Sequence, residues 1–255
     1  MPAKEPQSQP HRLSGKVAVI TGGSSGIGLA IARALVAEGS TVVITGRNEE
    51  KLNDAAAKLN EIGPGRATPH LCEVREPYSV DAAFDMVKTR FGRIDILVNN
   101  AGISQAPTPV ESTSVEMWRE MIDIDLTSVF LCTRAALPMM GRGSTIINNL
   151  SAAAVQVFPS FSAYTAAKTG AYGFTRALRD ELMPRGIRVT ALMPGATSTD
   201  IWKQIMPDAS HEGMMNPDTI AQAVLYTVLL PPEANVSELL ITPTGGAVGA
   251  KNTGE

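Results

Sequence analysis

The sequence predicts an α/β protein built on a doubly wound, parallel, seven-stranded sheet with helices on both faces, organised as a single domain. Seven short β-rich apolar runs alternate along the chain with segments of helical spacing. Runs such as Val17-Ala18-Val19-Ile20 are apolar at every position, which is the pattern of strands covered on both faces. No Pro/Gly-rich linker divides the 255 residues into two hydrophobic units.

In chain order, strands are expected at 17–21, 41–45, 67–74, 94–99, 145–150, 187–193 and 238–242, from their β-branched and apolar runs. Helices are expected at 27–38, 49–60, 78–91, 115–140, 164–183 and 217–229, from helical spacing of apolar residues. The less regular stretches 103–114 and 195–216 follow the fourth and sixth strands, at the edge where open α/β sheets hold ligands. The second of these is the expected substrate loop. Residues 1–12, rich in Pro and Gln, read as a flexible tail ahead of a domain spanning 13–255, and they lack the apolar core of a signal peptide.

Composition narrows the partners. With 44% hydrophobic and 18% charged residues the chain can bury a substantial core, and its net charge of −3 is scattered without a basic stripe. Neither nucleic acid nor a membrane is an expected partner, and no apolar run approaches the roughly 20 residues of a spanning helix. Cys72 and Cys132 lack any CxxC or metal-ligand spacing and read as reduced, packed thiols, which fits a cytoplasmic location. His11, His70 and His211 are isolated, so no metal site is expected.

The first strand runs into Thr21-Gly22-Gly23-Ser24-Ser25-Gly26-Ile27-Gly28 and then a helix. Gly22 permits a tight turn, Gly26 lets the backbone approach a pyrophosphate, and Gly28 brings the helix close to the sheet, while the helix N-terminus favours phosphate. The second strand ends in Gly46-Arg47 with no acid to hold a ribose hydroxyl pair. Arg47, with a hydroxyl from Ser24 or Ser25, suits a ribose 2′-phosphate, so NADP(H) is the expected cofactor.

Tyr164 and Lys168 stand four residues apart on a predicted helix and project from one face. An ammonium ~4 Å from the phenol at an effective dielectric of ~20 contributes about 4 kcal/mol, or roughly three pKa units, towards neutrality. Ser151, at the end of the fifth strand, is placed to hold a substrate oxygen while Tyr164 exchanges the proton.

Together, Thr21 to Gly28, Asn99-Asn100-Ala101-Gly102, Ser151, Tyr164-Thr165-Ala166-Ala167-Lys168 and Pro194-Gly195 resemble the short-chain dehydrogenase/reductase family over nearly everything after the tail. The resemblance implies a Rossmann fold and a nicotinamide cofactor. It further implies Tyr164 as acid/base, Lys168 also on the nicotinamide ribose, and Asn99 in the cofactor floor. Cofactor contacts are implied for Ile27, Val74, Asn100, Ala101, Gly102, Pro194, Gly195, Thr197 and Thr199.

Several positions depart from the family pattern. Asp125, in Ile124-Asp125-Leu126, stands where relatives carry an Asn that serves a proton relay to the lysine. A carboxylate ~8 Å away would oppose Lys168 by about 2 kcal/mol, leaving Tyr164 less acidic and the pH optimum shifted. Glu73 replaces an Asp that accepts from the adenine amino group, and the longer acid is expected still to reach. Thr190 replaces an Asn before the Pro-Gly turn. The segment 231–244 is more similar to the branch containing serine and 3-hydroxy acid dehydrogenases.

The substrate side is expected to be apolar, from Val157, Phe158, Phe161, Trp202, Ile205, Met206, Met214 and Met215. This favours a hydrophobic ketone or secondary alcohol. Apolar surface at Met117, Trp118, Met121, Phe130, Leu137, Tyr172, Phe174 and Leu178 points to a homodimer or homotetramer. The rival expectation is an NADPH-binding sensor or structural protein whose catalysis is weakened by Asp125.

Overall fold

In the computed structural model, which describes residues 11–208 and 210–245, the predicted runs become seven strands. They are β1 (Val17–Thr21), β2 (Thr41–Gly46), β3 (Arg66–Leu71), β4 (Ile96–Asn99), β5 (Thr145–Asn149), β6 (Arg188–Pro194) and β7 (Glu238–Ile241). They form one sheet in the order β3-β2-β1-β4-β5-β6-β7, and every neighbouring pair is parallel. Chain order reverses between β1 and β4, which opens a crevice at their C-terminal ends.

Alternate strand residues feed two helical layers. Ala18, Ile20, Val42, Ile44, Ile96 and Val98 pack with α1 (Gly26–Ala37), α2 (Glu49–Asn60) and the later α8 (Pro217–Leu229). Val19, Val43, Leu97 and Ile146 face α3 (Pro77–Phe91) and, beyond it, residues 128–136 and 162–182. Each fully buried Leu or Ile contributes about 1.5–3 kcal/mol. Local chemistry sets the helix ends: the Asn48 side chain accepts from Lys51 N–H to start α2, and Gly92 ends α3 at φ 70°.

The stretch expected as one helix over 115–140 is interrupted. It consists of α4 (Val115–Ile122), a π-helical turn (Asp123–Thr127), α5 (Ser128–Ala136) and a 3-10 turn (Leu137–Met139). Ser128 N–H reaches back five residues to the Asp123 carbonyl, which widens the helix. Pro138 sits inside the 3-10 turn, where an α-helix would need its missing N–H. Helix α6 (Ser162–Leu182) follows β5, and a short α7 (Ile201–Ile205) lies inside the expected substrate loop.

At the outer edge of the sheet, the Asn60 side chain pairs with both the N–H and the carbonyl of Ala67, at 2.8 and 3.1 Å. Two residues on, β3 carries Pro69. The third strand is shorter than expected, because the Cys72 N–H makes the last bond to β2, at the Gly46 carbonyl, and Glu73 and Val74 turn away to the crevice.

Residues 1–10 of the expected tail lie outside the described residues, as do 246–255. Arg12 pairs with Glu38 at the end of α1. Both cysteines are free and buried, and burial pushes the Cys72 thiol up to about 11. No described helix is long and apolar enough to cross a membrane. Among the apolar residues expected on a subunit face, Met121 and Leu178 instead turn into the core, whereas Trp118 and Phe130 are 43% and 44% exposed.

Candidate active site

A cleft of about 760 Å³ runs along the C-terminal edge of the sheet. One end is lined by Gly22, Ser24, Ser25, Gly26 and Ile27 from the β1–α1 turn, by Arg47 after β2, and by Glu73 and Val74 after β3. Asn100, Ala101 and Gly102 after β4 form the middle. Ser151, Tyr164 and Lys168 stand at the far end, opposite Pro194, Gly195, Thr197 and Thr199 after β6. Gly28 and Asp125 do not line it: Gly28 packs beneath the turn and Asp125 lies behind Gly102.

The glycines are required by space and backbone. Gly22 and Gly26 have φ values of +65° and +54°, and a Cβ on Gly22 would stand 3.0 Å from the Ala101 Cα. A Cβ on Gly26 would meet Thr199 Cγ2 at 3.3 Å. Ser25 is the N-cap of α1, yet its hydroxyl makes no capping bond. The start of α1 therefore offers unpaired donors to the cleft.

Asn100 organises the middle. Its side-chain N–H donates to the carbonyls of Thr21 and Gly22 at 2.9 and 3.1 Å, and its oxygen accepts from Asn149 at 2.8 Å. Asn99 lies one layer deeper than expected: its amide donates to Thr133 and Asn148 at 3.0 and 2.8 Å, and Asn148 passes the chain on to Thr175 on α6. It supports the floor without lining it.

At the far end, Lys168 Nζ lies 5.5 Å from the Tyr164 ring centroid and 3.0 Å from Asp125 Oδ1. Ser151 caps the 3-10 turn Ala152–Ala154 by accepting from Ala153 N–H at 3.1 Å, which fixes its hydroxyl beside the phenol. The arrangement brings a proton donor, a cation and a neutral hydroxyl to one wall of an apolar chamber.

Residues 16–210 match the family model described as short chain dehydrogenase. The chain belongs to this family. It is an oxidoreductase of the short-chain dehydrogenase type, a family that binds nicotinamide cofactors and acts on small molecules. It is 34% identical over 241 residues to a farnesol dehydrogenase of Aedes aegypti, covering 92% of this chain and 98% of the relative. An alcohol dehydrogenase from the archaeon Thermococcus sibiricus, solved with 5-hydroxy-NADP, superposes with a TM-score of 0.84 at 32% identity, covering 90% of this chain and 97% of that one. A short-chain dehydrogenase from Burkholderia cenocepacia J2315 in complex with NADP gives 0.83 at 32% identity, with 91% and 98% covered.

The side chains of this short-chain dehydrogenase fit such a cofactor, since Gly22 and Gly26 leave a cradle that a Cβ would fill and the cleft extends unbroken from Arg47 to Tyr164. The reach expected of Glu73 towards adenine is not the orientation found. Its carboxylate accepts from the Arg75 backbone and guanidinium at 3.2 and 3.0 Å and lies 3.8 Å from Arg47. Two neighbouring cations hold it more strongly than a neutral amine would.

The expectation for Tyr164 is also corrected. Burial is the largest influence on the phenol and raises its pKa; Lys168 lowers it, Asp125 raises it, and hydrogen bonding with Ser151 lowers it, for a net upward shift. Burial opposes the charge of Lys168, but Asp125 and Tyr164 outweigh it and hold the ammonium protonated. Burial raises Asp125, against Lys168 and the Ile103 N–H.

Residues absent from the sequence reading also line the cleft. Lys51 joins Arg47 at the same end of the cleft, and its position four residues on, in the first turn of α2, was the available signal. Thr242 and Pro243 close on Gly195, where a Cβ would meet Pro243 Cδ at 3.1 Å. In the expected substrate chamber, Phe158, Phe161, Trp202, Ile205 and Met206 face the cleft. Val157 is 86% exposed, and Met215 packs on the core while its backbone pairs with Ala196 and Ser198. Met214 is also outside the lining. Thr190 is buried and donates to the Val236 carbonyl at 2.7 Å, tying β6 to the segment before β7. Among the described residues no cluster of His, Cys, Asp and Glu is placed to hold a metal ion.

Proposed function

We propose that the chain is an NADP(H)-dependent oxidoreductase that interconverts a hydrophobic ketone and its secondary alcohol, with Tyr164 as the proton donor and acceptor. The observation that carries this reading is one continuous cleft with Arg47 and Lys51 at the ribose end and Ser151, Tyr164 and Lys168 at the other. When bound, the nicotinamide supplies or accepts the hydride. Ser151 holds and polarises the substrate oxygen, Tyr164 passes its proton to that oxygen, and Lys168 fixes the local charge.

Arg47 and Lys51 are two cations suited to a 2′-phosphate, and the NADP ligands of the two similar structures support that choice. The aromatic and aliphatic chamber of Phe158, Phe161, Trp202 and Ile205 supports an apolar substrate, as does the similarity to a farnesol dehydrogenase. The exposed Trp118 and Phe130, with Phe174 edge-on to Phe130 at 6.3 Å, support a homo-oligomer.

The test follows NADPH absorbance with a panel of ketones, β-keto esters and quinones, alongside Tyr164→Phe. Turnover that falls at least about 100-fold in the variant, with NADPH binding retained, is the expected result. Tight NADPH binding without turnover of any panel member would instead support the sensor.

A further inference from the structure

Lys168 is the only cation that faces Tyr164 among the described residues, and its charge is already matched. Asp125 Oδ1 lies 3.0 Å from the ammonium, and the two side chains are 0% and 6% exposed. The ring centroid of Tyr164 is farther from that ammonium, at 5.5 Å. Oδ1 also accepts from the Ile103 N–H at 3.2 Å, while Oδ2 has no partner among the described residues. The carboxylate therefore depends on Lys168 for its charge balance.

The fold makes room for this pair. The π-helical turn carries Asp125 inward, and Gly102 leaves the space above it: a Cβ there would stand 2.7 Å from Oδ1 and 3.3 Å from Lys168 Nζ. The groups facing the phenol are Lys168 from its own helix, Asp125 from the π turn and the neutral Ser151 from the end of β5. The opposite loop lines the cleft with aromatic and aliphatic side chains and one acid, Asp200, which is exposed and paired with Lys203 at 2.6 Å and is not among the groups that act on the phenol.

We infer that Asp125 neutralises Lys168 as Tyr164 experiences it, so that the phenol keeps its proton well above neutral pH and the site is committed to carbonyl reduction, with alcohol oxidation confined to alkaline pH. A lone buried ammonium favours the phenolate, whereas an adjacent ion pair presents only a dipole. In reduction the Tyr164 O–H bond breaks and its proton joins the substrate oxygen; in oxidation the phenolate must take that proton back. Retaining the proton extends the pH range of the first direction and shortens that of the second. Asp125 is thus a positioning residue that acts through Lys168. The inference rests on the reading of Tyr164 as proton donor.

The test is an alkaline titration of the full chain by tyrosinate absorbance, with Tyr164→Phe subtracted to isolate the Tyr164 signal. In the natural protein, no Tyr164 phenolate is expected at about pH 9. In Asp125→Asn, measured against Asp125→Asn/Tyr164→Phe, the midpoint is expected at least about one pH unit lower. With a turned-over ketone and its alcohol, the oxidative limb of kcat/KM should move down in pH by the same amount. A natural-protein midpoint displaced towards neutrality overturns the inference, and so do superimposable curves for the Asn variant. The first of these measurements needs no Asp125 variant to fold. Full turnover in Tyr164→Phe would defeat the proton-donor reading and the directional claim, while a titration shift would still establish the action of Asp125 on the phenol.

Discussion

A Cβ on Gly28 would stand 2.4 Å from the side-chain nitrogen of Asn100 and equally close to the carbonyl oxygen of Gly22. The first helix is thereby locked to the turn that opens the cleft, rather than simply to the sheet below. Because one obstacle is backbone, relief requires movement of the turn itself. Gly28→Ala should cost about 1–3 kcal/mol, seen as a melting temperature lower by several degrees, at about 2–4 °C per kcal/mol. NADPH affinity should fall with it. An unchanged melt would mean that the turn shifts freely.

Arg47 has 57% of its side chain exposed and shares Glu73 with Arg75, so little holds it away from an incoming phosphate. Removing one charge-assisted contact costs about 1.5–3 kcal/mol, or about 10- to 100-fold in affinity. Arg47→Ala should weaken NADPH binding by that factor and leave NADH binding nearly unchanged, as measured by nucleotide fluorescence titration. An equal loss for both nucleotides would remove Arg47 from the 2′-phosphate site.

Asp95 works at the opposite edge of the sheet. Its carboxylate accepts from Lys16 Nζ and Val17 N–H, both at 3.0 Å, and pairs with Arg93. Burial raises its pKa, but the hydrogen bonds from Arg93, Val17 and Lys16 outweigh burial and hold it below the ordinary aspartate value. A depressed folded pKa stabilises the protein above the unfolded value of about 3.9, and that stability is lost as pH falls through the folded value. Asp95→Asn should cost about 2 kcal/mol at neutral pH. The gap should close below about pH 4, as read from urea unfolding at both pH values.

Phe130 belongs to a face rather than standing alone, since Arg134 stacks on it at 5.6 Å from its centroid and Phe174 meets its edge, and Trp118 is exposed on the preceding helix α4. Sedimentation velocity at micromolar concentration should give a dimer or tetramer. Trp118→Arg with Phe130→Arg should shift it to monomer without lowering helix content. A monomeric natural protein would defeat the proposal.

The strands and the nucleotide turn were legible because both depend on local pattern: continuous Val/Ile runs for one, glycines between strand and helix for the other. Tyr164 and Lys168 were legible for the same reason, being one helical turn apart. The π turn was hidden, since a single added residue leaves Met121, Ile124, Ser128 and Cys132 still spaced by three or four and indistinguishable from an α-helix. The orientation of Glu73 depends on Arg75 and Arg47 drawing its carboxylate to them, and the closeness of Asp125 to Lys168 depends on two helices meeting 43 positions apart. Neither leaves a trace in spacing.

The treatment of β3 reaches beyond the monomer. Asn60 occupies the outward-facing backbone groups of Ala67, and Pro69 has no N–H to offer. Strand-by-strand polymerisation in a head-to-tail sense needs an open edge at each end of the sheet, and one end is capped. Any pairing of copies through β7 must therefore join like edge to like edge, and such growth stops at two.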